Sequence, residues 1–443
     1  MFEWIDFSDE SFVLLFVGFI VAFFLAFGVG ANDVANSFGT SVGAKVLSLR
    51  QACVLATICE ISGAILIGYR VSDTVRKGIF DLGIYHNEME LLMKGNLAAL
   101  VGSACWNIIA TFFSLPISGT HSIIGAVLGF TLVAKGLEGI RWMGLGQIVM
   151  SWFISPVLSG MGSALIFYAI KRLILNERNP LESGLRSLPV FYAFTVFVNV
   201  ISILLDGPEV LYFHLISPGA ALGLSATMAG AVALLVWYVV VPRLRAKIIA
   251  KVLSPMIGEK NGSVTKESIS FDTEPPEAAE LFSFLQVLTA IFGSFAHGGN
   301  DVSNAIGPLV ALFLIYKEKT VEQTSETPIR ILLYGGVGIS IGLWVWGRRV
   351  IQTIGEDLTK VTPSNGFSIE IGAASTVLLA SKIGLPVSTT HCKVGSIVFV
   401  GWVKSTNAVD WKLFRGIVAA WVLTLPIAGG LSAATMALLM HFT

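Results

Sequence analysis

The sequence predicts an all-α polytopic membrane protein of about twelve transmembrane segments, folded as two inverted-topology repeats with broken helices or re-entrant hairpins. Three observations predict it. First, 54% of the 443 residues are hydrophobic and only 13% are charged, too few to cover a soluble surface of this length. Second, the apolar residues fall in long blocks, and 11–31 holds no charge at all. A run of about 18 or more apolar residues reads as a membrane-spanning helix. Third, short polar motifs recur at near-constant spacing in the two halves. The composition excludes a soluble enzyme and a disordered chain. Lys and Arg (29) balance Asp and Glu (29), so no basic footprint for nucleic acid exists.

The apolar blocks run over 11–31, 52–69, 96–113, 115–134, 145–170, 189–205, 215–241, 281–316 (interrupted), 329–346, 367–383, 385–402 and 412–441. Glu3, Asp6, Asp9 and Glu10 precede the first block. A signal peptide starts basic, so this block is expected to be retained as a span. Two polar stretches, 171–188 and 242–280, separate blocks, and the second reads as a flexible linker around Pro275 and Pro276. Cys53, Cys59, Cys105 and Cys392 fit no disulfide or metal framework and read as small apolar packing residues.

Arg243, Arg245, Lys247 and Lys251 open the linker without an acid among them, and Lys171, Arg172, Arg178 and Arg186 mark the earlier stretch. Both follow an odd number of crossings. The excess of basic residues predicts that they are cytoplasmic, with both termini outside. Arg348 and Arg349, after the ninth block, agree.

The repeat is explicit. Gly30-Ala-Asn-Asp-Val-Ala-Asn36 returns as Gly298-Gly-Asn-Asp-Val-Ser-Asn304, an offset of 268. Leu115-Pro-Ile-Ser-Gly-Thr-His121 returns as Leu385-Pro-Val-Ser-Thr-Thr-His391, an offset of 270. Trp152 and Pro156 match Trp421 and Pro426 as packing and kink positions. Gly68-Tyr-Arg-Val echoes Gly347-Arg-Arg-Val at 279, which a local insertion at 317–327 explains. The expected organisation is a first repeat at 1–172, two linking spans with the linker 242–280 across 173–274, and a second repeat at 275–443. Seven crossings precede the second copy, so the copies oppose each other, as in many secondary transporters.

Asp33 and Asp301 are candidates for carboxylates held in the membrane, where a charge at helix centre costs about 2.5–3.5 kcal/mol. Asn32, Asp33 and Asn36, with Asn300, Asp301 and Asn304, offer the oxygen ligands that hard cations such as Na⁺ prefer. Gly28, Gly30, Gly298 and Gly299 favour an unwound backbone whose carbonyls add ligands. In the second motif, proline interrupts a helix, and Ser118, Thr120, Ser388, Thr389 and Thr390 are good N-caps. Two helix N-termini meeting near the midplane make an anion site of hydroxyls and backbone amides. Gly119 opposite Thr389 makes it asymmetric. His121 and His391 could donate to the anion, orient a neighbour or relay a proton, and Lys393, opposite Ile123, reads as a snorkelling cation. Bare aspartates would repel an anion by about 4 kcal/mol at 4 Å and an effective dielectric near 20, so a cation between them makes the motifs cooperate.

These motifs resemble the paired signatures of the inorganic phosphate transporter (PiT) family, over both repeats and most of the chain. The resemblance implies an inverted-repeat, cation-coupled phosphate symporter in the plasma (inner) membrane, often a homodimer, with no cofactor. It implies coupling cations at Asn32, Asp33, Asn36, Asn300, Asp301 and Asn304, with Na⁺ ahead of H⁺. It implies phosphate at Ser118, Thr120, Ser388, Thr389 and Thr390, with Gly119, His121, His391, Asn36 and Asn304 completing the set. Hydroxyl-rich helix ends also suit sulfate or another oxyanion. An anion channel would not need the aspartates, and an intramembrane aspartyl hydrolase would leave the repeated Ser, Thr and His residues unexplained.

Overall fold

The computed structural model describes residues 9–206, 215–250, 274–352, 358–405 and 408–442. Most of the central linker, 251–273, lies outside the described residues. Helix α1 (Glu10–Asp33) begins at Asp9, whose carboxylate accepts the Ser11 N–H, and passes into α2 (Ala35–Gly43). Then come α3 (Leu49–Ile67), α4 (Tyr69–Lys77), α5 (Met89–Phe112), α6 (Gly119–Lys135) and α7 (Trp142–Ile170). The middle of the chain forms α8 (Pro180–Asp206), α9 (Pro218–Leu235) and α10 (Val241–Ile248). The last part forms α11 (Pro276–Glu318), α12 (Ile329–Trp346), α13 (Arg348–Gln352), α14 (Pro363–Lys382), α15 (Thr389–Lys404) and α16 (Trp411–Phe442).

Ten helical segments among the described residues are long and apolar enough to cross a membrane. The α14–α15 hairpin, where two more spans are expected from the sequence, falls outside the ten. Helix α15 has 16 residues, and α14 carries Ser364, Asn365, Ser368, Glu370, Thr376 and Ser381 on buried positions. The exposed faces of α7 and α9 are apolar, with Phe153, Leu165, Leu222 and Leu234 among them, as lipid contact requires.

Packing is symmetric under exchange of the two sequence copies. Helix α3 of the first copy packs on α11 of the second, and α12 of the second packs on α1 of the first. In the same way α6 meets α16 while α15 meets α7, and α5 meets α1 while α14 meets α11. The fourth motif match follows this scheme, since Gly68 ends α3 and Gly347 ends α12. The inserted segment after α11 is clamped by Arg76, which donates to the carbonyls of Gln323 (2.8 Å) and Ser325 (3.0 Å). Helix α8 lies chiefly against α9 and α11. The Arg245–Glu182 ion pair (2.7 Å) puts the start of the linker and the α7–α8 connection at one end of the molecule.

The expectation of an unwound backbone at the glycine-rich motifs is overturned. Helix α11 runs unbroken for 43 residues through Gly298, Gly299 and Pro308, and the interruption read into block 281–316 is absent. Within the first-copy motif the helix is interrupted at Val34, whose φ of −65° and ψ of −18° are still helical. The glycines serve close approach instead. A Cβ on Gly30 would lie 1.8 Å from the Ile339 carbonyl oxygen, and one on Gly298 would lie 2.3 Å from that of Glu60. These contacts are equivalent, since Ile339 follows Glu60 by the 279 offset of this region.

Candidate functional site

Two helix N-termini define the site. The chain turns between α5 and α6 at Leu115–Pro116 and between α14 and α15 at Leu385–Pro386, where proline cannot continue the preceding helix. The Ser118 hydroxyl accepts the His121 N–H at 3.2 Å, and Ser388 does the same for His391 at 3.1 Å. So the serines are the caps, and the threonines expected as caps lie on the first turn, where Thr120 and Thr390 reach across to the other copy and Thr389 turns to Asp301 of its own.

Those reaches interlock the copies. Thr390 donates to Asp33 Oδ1 at 3.0 Å and Asn36 Nδ2 donates to Thr390 at 2.8 Å. The mirror contact runs from Asn304 Nδ2 to Thr120 at 2.9 Å. The Thr390 hydroxyl also lies 2.9 Å from the Ile117 carbonyl, and Thr120 lies 3.1 Å from that of Val387. Asn32 holds its own hairpin, donating to Thr111 (3.0 Å) and accepting the Ile117 N–H (3.0 Å). Asn300 donates to Ser381, the repeat partner of Thr111, at 3.1 Å. Every one of these residues is buried.

The two aspartates have different partners. Asp33 Oδ2 accepts the Gly119 backbone N–H at 3.2 Å, and a Cβ on Gly119 would sit 2.6 Å from that oxygen. Asp301 Oδ2 accepts the Thr389 hydroxyl at 2.7 Å, and Asn304 donates to Oδ1. The glycine–threonine asymmetry of the sequence is therefore a choice of donor for each carboxylate.

His121 and His391 meet between the hairpins with ring centroids 4.4 Å apart. Each ring lies 3.8 Å from a tryptophan, Trp152 for His121 and Trp421 for His391. Each Nδ1 faces the carbonyl of the other tryptophan, Trp421 at 3.4 Å and Trp152 at 3.1 Å. A carbonyl only accepts, so Nδ1 carries a hydrogen, and in the neutral ring Nε2 keeps its lone pair. Both Nε2 atoms are buried without a hydrogen-bond partner among the described residues. The tryptophans thus sandwich the histidine pair.

Sequence reasoning does not find three titratable residues, Glu60, His297 and Glu370, and misplaces Lys393. Glu60 of α3 lies 2.7 Å from His297 Nδ1 and accepts the Ser294 hydroxyl at 2.7 Å. The other face of His297 places Nε2 3.2 Å from Asp301. Glu370 of α14 accepts the Thr40 hydroxyl and pairs with Lys393 at 2.5 Å. Lys393 is 4% exposed, so it does not snorkel to a surface. The signal available was a Glu inside each of two otherwise uncharged stretches, 51–69 and 361–381, but neither recurs in the other copy.

The donor set suits both expected ligands. The side-chain oxygens of Asn36, Asn300 and Asn304 are buried and accept no hydrogen bond among the described residues. With the aspartate oxygens they form the all-oxygen composition that a hard cation takes. The first turns of α6 and α15 supply hydroxyls and N–H groups outside the helix's own hydrogen bonding, of the kind that bind an oxyanion. A cavity of about 20 Å³, lined by Asn36, Ser37, His297, Glu370, Thr389 and Lys393, adjoins them.

Comparison with known proteins identifies the family. The model of the phosphate transporter family matches residues 29–432. The sodium-dependent phosphate transporter 1-A of Danio rerio is 40% identical, covering 98% of this chain and 96% of its own. The sodium-dependent phosphate transporter 2 of Homo sapiens is 39% identical, covering 98% and 99%. A solved structure described as the sodium-dependent phosphate transporter superposes with a TM-score of 0.83 at 35% identity, over 97% of this chain and all of that one. This chain, an integral membrane protein, belongs to the phosphate transporter family.

Proposed function

We infer that the chain is a secondary transporter that carries inorganic phosphate into the cell together with Na⁺. The observation that carries this reading is the double use of the anion-site donors. The Thr390 and Thr389 hydroxyls and the Gly119 N–H are all given to aspartate oxygens. A cation that draws the Asp33 and Asp301 oxygens toward itself frees these donors for phosphate. It also cancels the charge that would repel the anion. Cations bind first in this scheme, and by reciprocity each ligand raises the affinity of the other.

In this reading Asn32, Asp33 and Asn36, with Asn300, Asp301 and Asn304, bind Na⁺. Ser118, Gly119, Thr120, Ser388, Thr389 and Thr390 bind phosphate. His121 and His391 orient the hairpins, because a neutral ring that spends its N–H on a carbonyl has no donor left for an anion. The copies 1–172 and 275–443 are inverted repeats, and the α5–α6 and α14–α15 hairpins enter the membrane to bring their tips together. Alternating access then requires the Thr390–Asp33 and Asn304–Thr120 contacts to part as the copies rock. The termini lie outside, the linker is cytoplasmic, and the protein sits in the plasma (inner) membrane as a homodimer. Uptake of labelled phosphate into proteoliposomes under an imposed Na⁺ or pH gradient, with sulfate as competitor, tests the reading. Accumulation under the Na⁺ gradient alone supports it, and accumulation under the pH gradient alone replaces Na⁺ with H⁺.

A further inference from the structure

Glu370 and Lys393 differ from the repeated Asn-Asp and Ser/Thr residues in having no copy. At the 270 offset their counterparts are Leu100 and Ile123, and both are fully buried apolar residues. The two places therefore pack well without charge. Replacing a buried ion pair by well-packed apolar groups is often neutral or stabilising, so packing does not explain why this copy keeps the ions. Their setting offers another explanation. Glu370 is 0% exposed and takes the Thr40 hydroxyl on one oxygen and the Lys393 ammonium on the other. Thr40 belongs to α2, which continues from the Asp33 motif, and the cavity beside the pair is shared with Asn36, Ser37 and Thr389. A buried carboxylate with a hydroxyl partner, on a cavity shared with Asn36, Ser37 and Thr389, has the makings of a hard-cation site. Here the cation is an ammonium tied to the chain.

We propose that Lys393 is a built-in counter-cation, filling at Glu370 what would otherwise be an additional coupling-ion position. The chain thereby fixes the number of mobile cations moved with each phosphate. The proposal rests on the cation-coupled reading above. Removing the ammonium leaves Glu370 to recruit a mobile Na⁺, whereas an arginine keeps the fixed charge.

The test compares wild type, Lys393→Met and Lys393→Arg in proteoliposomes, counting labelled sodium and labelled phosphate taken up together. Lys393→Met is expected to move one more Na⁺ per phosphate, with a steeper dependence of uptake on Na⁺ concentration. Lys393→Arg is expected to keep the wild-type ratio. A wild-type ratio and slope in Lys393→Met overturn the proposal. If Lys393→Met does not transport, its thermal unfolding in detergent across a Na⁺ series gives the same reading. Stabilisation that rises more steeply with Na⁺ than in wild type supports the additional site, and an equal slope overturns it. Should that variant not reach the membrane, Lys393→Gln is read in the same way. A wild-type protein that ignores the Na⁺ gradient fails the underlying reading instead, which is a separate result.

Discussion

Asp33 and Thr390 stand 357 residues apart and belong to opposite copies, yet a 3.0 Å hydrogen bond joins them. Residues of this kind were legible in the sequence because the repeat printed them twice. A pair of aspartates inside matching motifs is hard to explain as a helix end. Glu60, His297 and Glu370 were not legible, because a search by repetition finds only what is duplicated and their partners in the other copy are Ile339, Val29 and Leu100. Two expectations belong to this scale. Asp33→Asn or Asp301→Asn removes a charge worth about 4 kcal/mol to a cation at 4 Å, or roughly a thousandfold in affinity, so Na⁺-driven accumulation is lost while the protein still folds. Uptake assays beside size-exclusion profiles check both halves of that statement. Thr120→Ala or Thr390→Ala removes a hydrogen bond to a charged ligand, worth about 1.5–3 kcal/mol, and raises the phosphate KM about tenfold or more. Unchanged kinetics in both variants would place the anion elsewhere.

At the scale of the helices, sequence and structure agree at the hairpins and differ at the glycines. The proline and serine of each hairpin predicted a new helix N-terminus, and both serines cap one. The neighbouring glycines suggested a loosened backbone but instead let two helices touch backbone to backbone. A single sequence does not distinguish these uses, because a missing Cβ permits both. The structure makes the second use testable. Gly30→Ala and Gly298→Ala drive a methyl group into a carbonyl oxygen and cost at least about 1–3 kcal/mol, seen as a lower unfolding temperature in detergent. Gly162→Ala in α7, where nothing lies within 4 Å, is the control and should leave that temperature unchanged or slightly higher. Equal behaviour of the three variants would refute the close-packing account.

At the scale of the molecule, each copy lends a helix to the other, α3 to α11 and α12 to α1, so that neither is a separate unit. The order of motifs announced two copies but not this exchange, since spacing along a chain carries no record of which copy a helix packs against. The basic residues at one end, including exposed Arg178, predict sidedness. A cysteine at position 178 in a functional variant should react with an impermeant reagent only from the cytoplasmic side, and labelling from outside would invert the topology. The central claim is that Na⁺ binding at the two Asn-Asp motifs drives phosphate uphill. It is tested most directly by phosphate uptake into proteoliposomes holding phosphate at equal concentration inside and out, with Na⁺ added outside. The account predicts accumulation above the external concentration in wild type and none in Asp33→Asn. Wild-type liposomes that only exchange phosphate, with no net accumulation under the Na⁺ gradient, would contradict it.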